Sequence, residues 1–168
     1  MKILDCTLRD GGYYNDWDFG QDLVADYLRA MAAARPDAVE IGFRFRNGGR
    51  YRGPFAYSPE SWLRSLPLPE GIPLAVMVNE ADFPDDGTAL DNAVGEAFVD
   101  AGDSCVALVR VATVFEHLEN AAAIIQQLKR LGYRTALNVM QIVRASDDEL
   151  HEIGRVATSA EPEVLYFA

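Results

Sequence analysis

The feature that most constrains the fold is an alternation of textures. Short apolar or β-branched runs alternate with stretches of helical periodicity, about every 30 residues. Runs at 3–8 (ILDCTL), 37–43 (DAVEIGF), 73–79 (PLAVMVN), 104–112 (SCVALVRVA), 134–141 (RTALNVMQ) and 163–168 (EVLYFA) read as six strands. Between the first two, residues 21–35 repeat Leu23, Val24, Tyr27, Leu28 and Met31 at helical spacing, and Pro36 stops them. Ser58-Pro59-Glu60 opens a short helix to about residue 66. A helix at 89–101 is stopped by Gly102. Residues 116–131 give the clearest helix: Leu118, Ala121, Ala122, Ile125 and Leu128 share a face, and Gly132 ends it. Its last turn carries Lys129 and Arg130, favourable at the negative end of the dipole. Ser146-Asp147-Asp148-Glu149 caps one more helix, to about residue 158.

Regular strand–helix alternation predicts an α/β fold with a parallel sheet, because each parallel crossover needs a covering helix. Two architectures compete, an open doubly wound sheet and a (β/α)8 TIM barrel. The first turn lacks the G-x-G-x-x-G spacing of a dinucleotide fold, and there is no P-loop. Polar residues close most of the strands: Arg9 and Asp10, Glu40 and Arg44, Asn79, Arg110, Asn138 and Gln141. Barrel enzymes build their active sites at that face, so the barrel is the favoured expectation. Residues 1–168 would then be one incomplete domain, the first six strand–helix units, with strands one and six at open edges. Open edges predict self-association or a partner supplying the missing strands.

Composition narrows the partners. A formal net charge of −11 argues against nucleic acid and anionic membrane surfaces, which call for a basic face. No stretch approaches the ~20 apolar residues of a membrane span. Cys6 and Cys105 lie in apolar runs and read as buried free thiols, in keeping with a cytoplasmic location.

The stretch from residue 4 to residue 15 (LDCTLRDGGYYN) carries the chemistry: a strand ending in an Arg-Asp pair and two permissive glycines. Thr7-Leu8-Arg9-Asp10-Gly11, with Val39-Glu40-Ile41-Gly42 on the next strand, resembles the metal-dependent lyase family with an Asp-Arg-Glu triad on a TIM barrel. That family includes HMG-CoA lyase, isopropylmalate and homocitrate synthases, 4-hydroxy-2-oxovalerate aldolase and pyruvate carboxyltransferase domains. The longer string through Tyr14, with Gly53-Pro54-Phe55-Ala56-Tyr57-Ser58, most resembles a bacterial aldolase-like branch.

The resemblance implies a divalent-metal-dependent aldolase, lyase or acyl/carboxyl transferase acting on a 2-oxo acid such as pyruvate through an enolate. Asp10 would bind Mg²⁺ or Mn²⁺, Arg9 would stabilise the enolate oxygen, and Glu40 would orient Arg9. Such chemistry is intelligible in itself. A hard cation polarises a carbonyl, and a fixed guanidinium stabilises the developing oxyanion. Where the family's aldolases carry a His after Arg-Asp-Gly, this chain has Tyr13 or Tyr14, and Tyr13 is the candidate proton donor. The family's His-x-His metal pair has no counterpart, since His117 and His151 both fall on helices. Arg44, Arg110, Asn138 and Gln141 are candidate substrate contacts. The alternative is a catalytically incomplete barrel fragment that serves as an interaction or structural module.

Overall fold

A computed structural model describes every residue except Asn47 and Gly48, so part of the Arg/Gly-rich stretch 44–54 (RFRNGGRYRGP) lies outside the described residues. The elements are β1 (Leu4–Asp5), α1 (Thr7–Gly11), α2 (Gln21–Ala34), β2 (Ala38–Phe43), α3 (Glu60–Leu63), β3 (Leu74–Asn79) and α4 (Gly87–Ala97). They continue with β4 (Val106–Thr113), α5 (Leu118–Arg130), β5 (Arg134–Val139), α6 (Asp147–Ala160) and β6 (Val164–Phe167). Strand order follows chain order, and every described pairing is parallel, so the expected α/β class is observed.

The chain divides into two compact units, residues 1–77 with 104–107, and residues 78–103 with 108–168. In the first unit β1 pairs with β2, and β2 pairs with the start of β3. All six residues of β2 are buried, as a strand covered on both faces requires. Its register against β3 slips between Glu40 and Gly42. A slip of this kind bends the strand and re-aims a side chain. Gly42 permits it, because a Cβ there would stand 2.0 Å from the Phe55 carbonyl oxygen. Helix α2 buries Val24 and Leu28 and closes on Arg35, whose φ of 52° is left-handed and whose N–H donates to the Met31 carbonyl.

In the second unit β4, β5 and β6 run in register, with Ala112 opposite Asn138 and Asn138 opposite Tyr166. Helix α5 packs on α4, α6 and β5, burying the apolar face read from its sequence. Helix α6 begins with the expected capping box, Ser146 and Glu149 bonding each other's backbone N–H. Among the described residues no helix is long and apolar enough to cross a membrane.

Two expectations are corrected. The strand at 3–8 shrinks to Leu4–Asp5, and Arg9 and Asp10 sit on helix α1 rather than on the lip of a strand. The cause is local: the Asp5 carboxylate accepts the Thr7 backbone N–H at 3.0 Å and the Thr7 hydroxyl at 3.2 Å, turning the chain into a helical first turn. Gly11 and Gly12 are right-handed helical residues, with φ of −60° and −59°, and make no left-handed turn. What Gly12 supplies is space, since a Cβ there would lie 2.0 Å from the Trp17 ring. The second correction concerns helix α4, which stops at Ala97 instead of reaching 101. Phe98 turns extended and packs edge-on against Tyr133, and the Tyr133 hydroxyl donates to the Val99 carbonyl at 2.8 Å. Tertiary contacts override the helical pattern here.

Candidate active site

The first unit brings the three residues of the Arg-Asp-Glu reading together. Glu40, fully buried in β2, accepts a hydrogen bond from Arg9 Nε at 2.7 Å. Arg9 Nη1 also lies 2.5 Å from Asp10 Oδ1, and its guanidinium stands 5.7 Å from the Phe43 ring centroid. Burial works against the guanidinium charge, but Glu40, and then Asp10, outweigh it and hold Arg9 above its ordinary value. Arg9 is thus fixed as a cation whose Nε edge is anchored by a buried carboxylate, and Asp10 stays half-exposed beside it.

The backbone under this pair is also held. Trp17, almost fully buried, donates from its indole Nε1 to the Arg9 carbonyl at 2.9 Å. Its φ of 58° is left-handed, as is that of Asp16, and together they fold the chain back over Gly12. The Cys6 thiol donates to Asp10 Oδ2 at 3.1 Å, and burial, then this bond, push the thiol up to about 11. Cys6 is therefore protonated at neutral pH and serves Asp10 as a donor. Tyr13 is exposed and stacks edge-on against Trp17 at 4.8 Å, so its hydroxyl-bearing ring stands at the rim of this aromatic group.

Arg44 is buried, and its guanidinium pairs with Glu60 at the start of α3. Glu60 also accepts the Ser104 hydroxyl at 2.5 Å and the Cys105 N–H at 2.8 Å. Burial would raise the Glu60 carboxyl, but the Cys105 and Ser104 bonds and Arg44 together hold it below the ordinary carboxylate range. This ties β2, α3 and the segment entering β4 into one polar knot. A cleft of about 670 Å³ in the same unit is lined by Phe19, Val24, Phe55 and Trp62, with Asp18 and Asp22; none of Arg9, Asp10 and Glu40 lines it.

The remaining sequence candidates lie in the second unit. Arg110 and Asn138 are both buried, and the Arg110 guanidinium stands 5.1 Å from the Tyr166 ring centroid. Gln141 is exposed, with a left-handed φ of 61°, and its side chain accepts from Arg144. The sequence reading missed Trp17 as a positioning residue and Tyr166 altogether. For Trp17 a signal was present in the glycine pair it packs against.

The donor set around Asp10 tests the implied metal. Among the described residues no group of three or more His, Cys, Asp or Glu side chains converges to hold an ion. Near Asp10 stand a protonated thiol, a guanidinium and a carboxylate already bonded to it. One half-exposed carboxylate does not by itself fit a divalent cation, which takes six or more oxygen ligands. His151 lies exposed in mid-helix, its Nδ1 donating to the Asp147 carbonyl at 2.7 Å, and His117 precedes α5.

No family model matches the chain, and no curated protein matches it. Among solved structures it is similar to the N-terminal domain of a presumptive aldolase from Bacteroides vulgatus, at 29% identity and a TM-score of 0.79. The match covers 99% of this chain and 54% of that one, so the chain spans about half the length of the solved protein. The fold is therefore aldolase-like.

Proposed function

We propose that the chain belongs to an aldolase-type enzyme of (β/α)8 barrel architecture that forms or cleaves a C–C bond next to a carbonyl of a 2-oxo acid such as pyruvate. The observation that carries the reading is the Arg9–Glu40 pair: a half-buried guanidinium whose Nε is fixed at 2.7 Å by a fully buried carboxylate. A guanidinium held this way cannot swing to follow solvent. It presents its remaining N–H groups in a set direction, which is how a developing enolate oxygen is stabilised without reorganisation. The aldolase-like neighbour supports the same class. Arg9 is then the oxyanion-stabilising residue, Glu40 and Trp17 are positioning residues, and Tyr13 is the candidate proton donor. Arg110, Asn138 and Gln141 are candidate substrate contacts.

Asp10 would give one oxygen to a Mg²⁺ or Mn²⁺ whose other ligands come from outside the described residues. The lone carboxylate also favours a second reading, a barrel module without catalysis of its own. Calorimetry with Mn²⁺, on the chain together with whatever supplies those other ligands, separates the two. Binding lost in Asp10→Asn favours the enzyme, and absence of binding favours the module. The direct test is exchange of the pyruvate methyl protons for deuterium, followed by NMR. Arg9→Lys keeps the charge but loses the planar fork, and is expected to slow exchange about 10²–10³-fold. An unchanged rate would remove Arg9 from the chemistry.

A further inference from the structure

The cleft of about 670 Å³ in the first unit takes no part in the chemistry proposed above, yet its lining is not that of a packing gap. It lies between the start of α2 and the α3 segment. Val24 and Phe55, both buried, underlie it, and the half-buried rings of Phe19 and Trp62 wall it. The three rings meet edge to face, Phe19 with Phe55 at 5.5 Å between centroids and Phe55 with Trp62 at 4.3 Å. A cleft of this volume falls in the range of small-molecule sites, which are mostly apolar with a few placed polar groups.

The charged side chains of the lining are Asp18 and Asp22, and no Lys, Arg or His stands among them. Both aspartates are exposed, and neither carboxylate is held by a hydrogen bond or an ion pair among the described residues. Helix α2 accounts for one of them. It starts from Gly20 with no side-chain cap, and Asp22 in its first turn offsets the positive end of the dipole. Asp18 precedes the helix and is left over, so the cleft carries net negative charge beside aromatic walls. Ring faces are negative as well, and they attract cations.

We propose that this cleft binds a small organic cation, a protonated amine on an apolar body. The ammonium group meets Asp18 and Asp22, and the body packs against Phe19 and Trp62. A divalent metal is a poorer match, because two carboxylates fall short of its usual oxygen ligands and the rings supply none. An anion would meet two like charges. The site stands apart from the function proposed above, since none of Arg9, Asp10 and Glu40 lines the cleft.

The test is NMR titration of the ¹⁵N-labelled full chain, at about 0.15 M salt to screen diffuse attraction to an acidic protein. Three probes share one body: 2-phenylethylamine, 2-phenylethanol and 3-phenylpropionate. The amine is expected to shift the Trp62 indole N–H and the backbone amides of Phe19 to Asp22, with a Kd on the order of 1 mM. The alcohol should bind at least about threefold more weakly, and the carboxylate should leave these signals in place. The double variant Asp18→Asn, Asp22→Asn keeps side-chain size and should lose at least about fivefold in amine affinity, with folding checked by the amide spectrum. Asp147 and Asp148, exposed in the first turn of α6, are the control for diffuse binding. Equal shifts at their amides, equal binding of the alcohol, unchanged affinity in the double variant, or no shift at the cleft would overturn the proposal. Preference for 3-phenylpropionate would make the cleft an anion site at the start of α2, and would overturn it too.

Discussion

Two arginines, half-buried Arg9 in the first unit and buried Arg110 in the second, are held in different ways. Arg9 is clamped by charge, with Glu40 at its Nε and Asp10 at its Nη1, over a backbone pinned by Trp17. Arg110 is buried in β4 with its guanidinium 5.1 Å from the Tyr166 ring centroid, and Asn138 lies on the adjacent strand. A cation flanked by carboxylates is suited to meet charge that appears only during reaction, because its own field is largely offset at rest. On the function proposed above, the first arrangement serves the transition state.

Breaking the first arrangement should have the largest effect. Glu40→Ala leaves a half-buried guanidinium without its buried partner, and urea unfolding should show a loss of about 3–5 kcal/mol. A loss below about 1 kcal/mol would mean that the pair does not organise the unit.

The Glu60 knot sharpens the comparison through pH. Its folded carboxyl lies below the ordinary range, so its stabilising contribution is complete above about pH 4.3 and fades as pH falls through the lowered folded value. Glu60→Gln is therefore expected to cost about 2 kcal/mol at neutral pH, from lost charge-assisted bonds, and progressively less in acid. Equal losses at pH 7 and pH 3 would contradict the assignment.

Trp17→Phe removes the indole donor to the Arg9 carbonyl while keeping an aromatic ring over Gly12, and should cost about 1 kcal/mol in urea unfolding. The smallest effect is a rate. Burial, then Asp10, hold the Cys6 thiol at about 11, so alkylation of the Cys6 peptide near pH 8 should be slow. Asp10→Asn removes the second cause and should speed alkylation several-fold, read by mass spectrometry. An unchanged rate would show that Asp10 does not restrain the thiol.

Much of this was legible in the chain. The six strands appear where β-branched runs stand between helical stretches, and α5 and the Ser146 capping box match their patterns because those patterns are local. Arg9, Asp10 and Glu40 were readable as one constellation through the resemblance carried by Thr7–Gly11 and Val39–Gly42, and the register of residues 4–5 against 38–39 sets those segments side by side. Their local setting was not readable. In LDCTLRDGG the apolar spacing suggests a strand, and only the Asp5 side chain, bonding Thr7, converts it to a helix. The setting of Tyr166 was hidden for a different reason: it depends on which β4 and β5 residues share its face, and a register is a property of three strands at once.

The central claim is that Glu40 holds Arg9 in the direction an enolate oxygen requires. It is tested most directly by pyruvate methyl exchange in the full-length protein carrying Glu40→Gln, which keeps the shape of the side chain and removes its charge. The account predicts a fall of about 10²-fold, with the Arg9 Nε–H resonance losing the downfield position that a carboxylate partner gives it. Exchange at the wild-type rate with that resonance displaced would show that the pair is structural and contributes nothing to the chemistry.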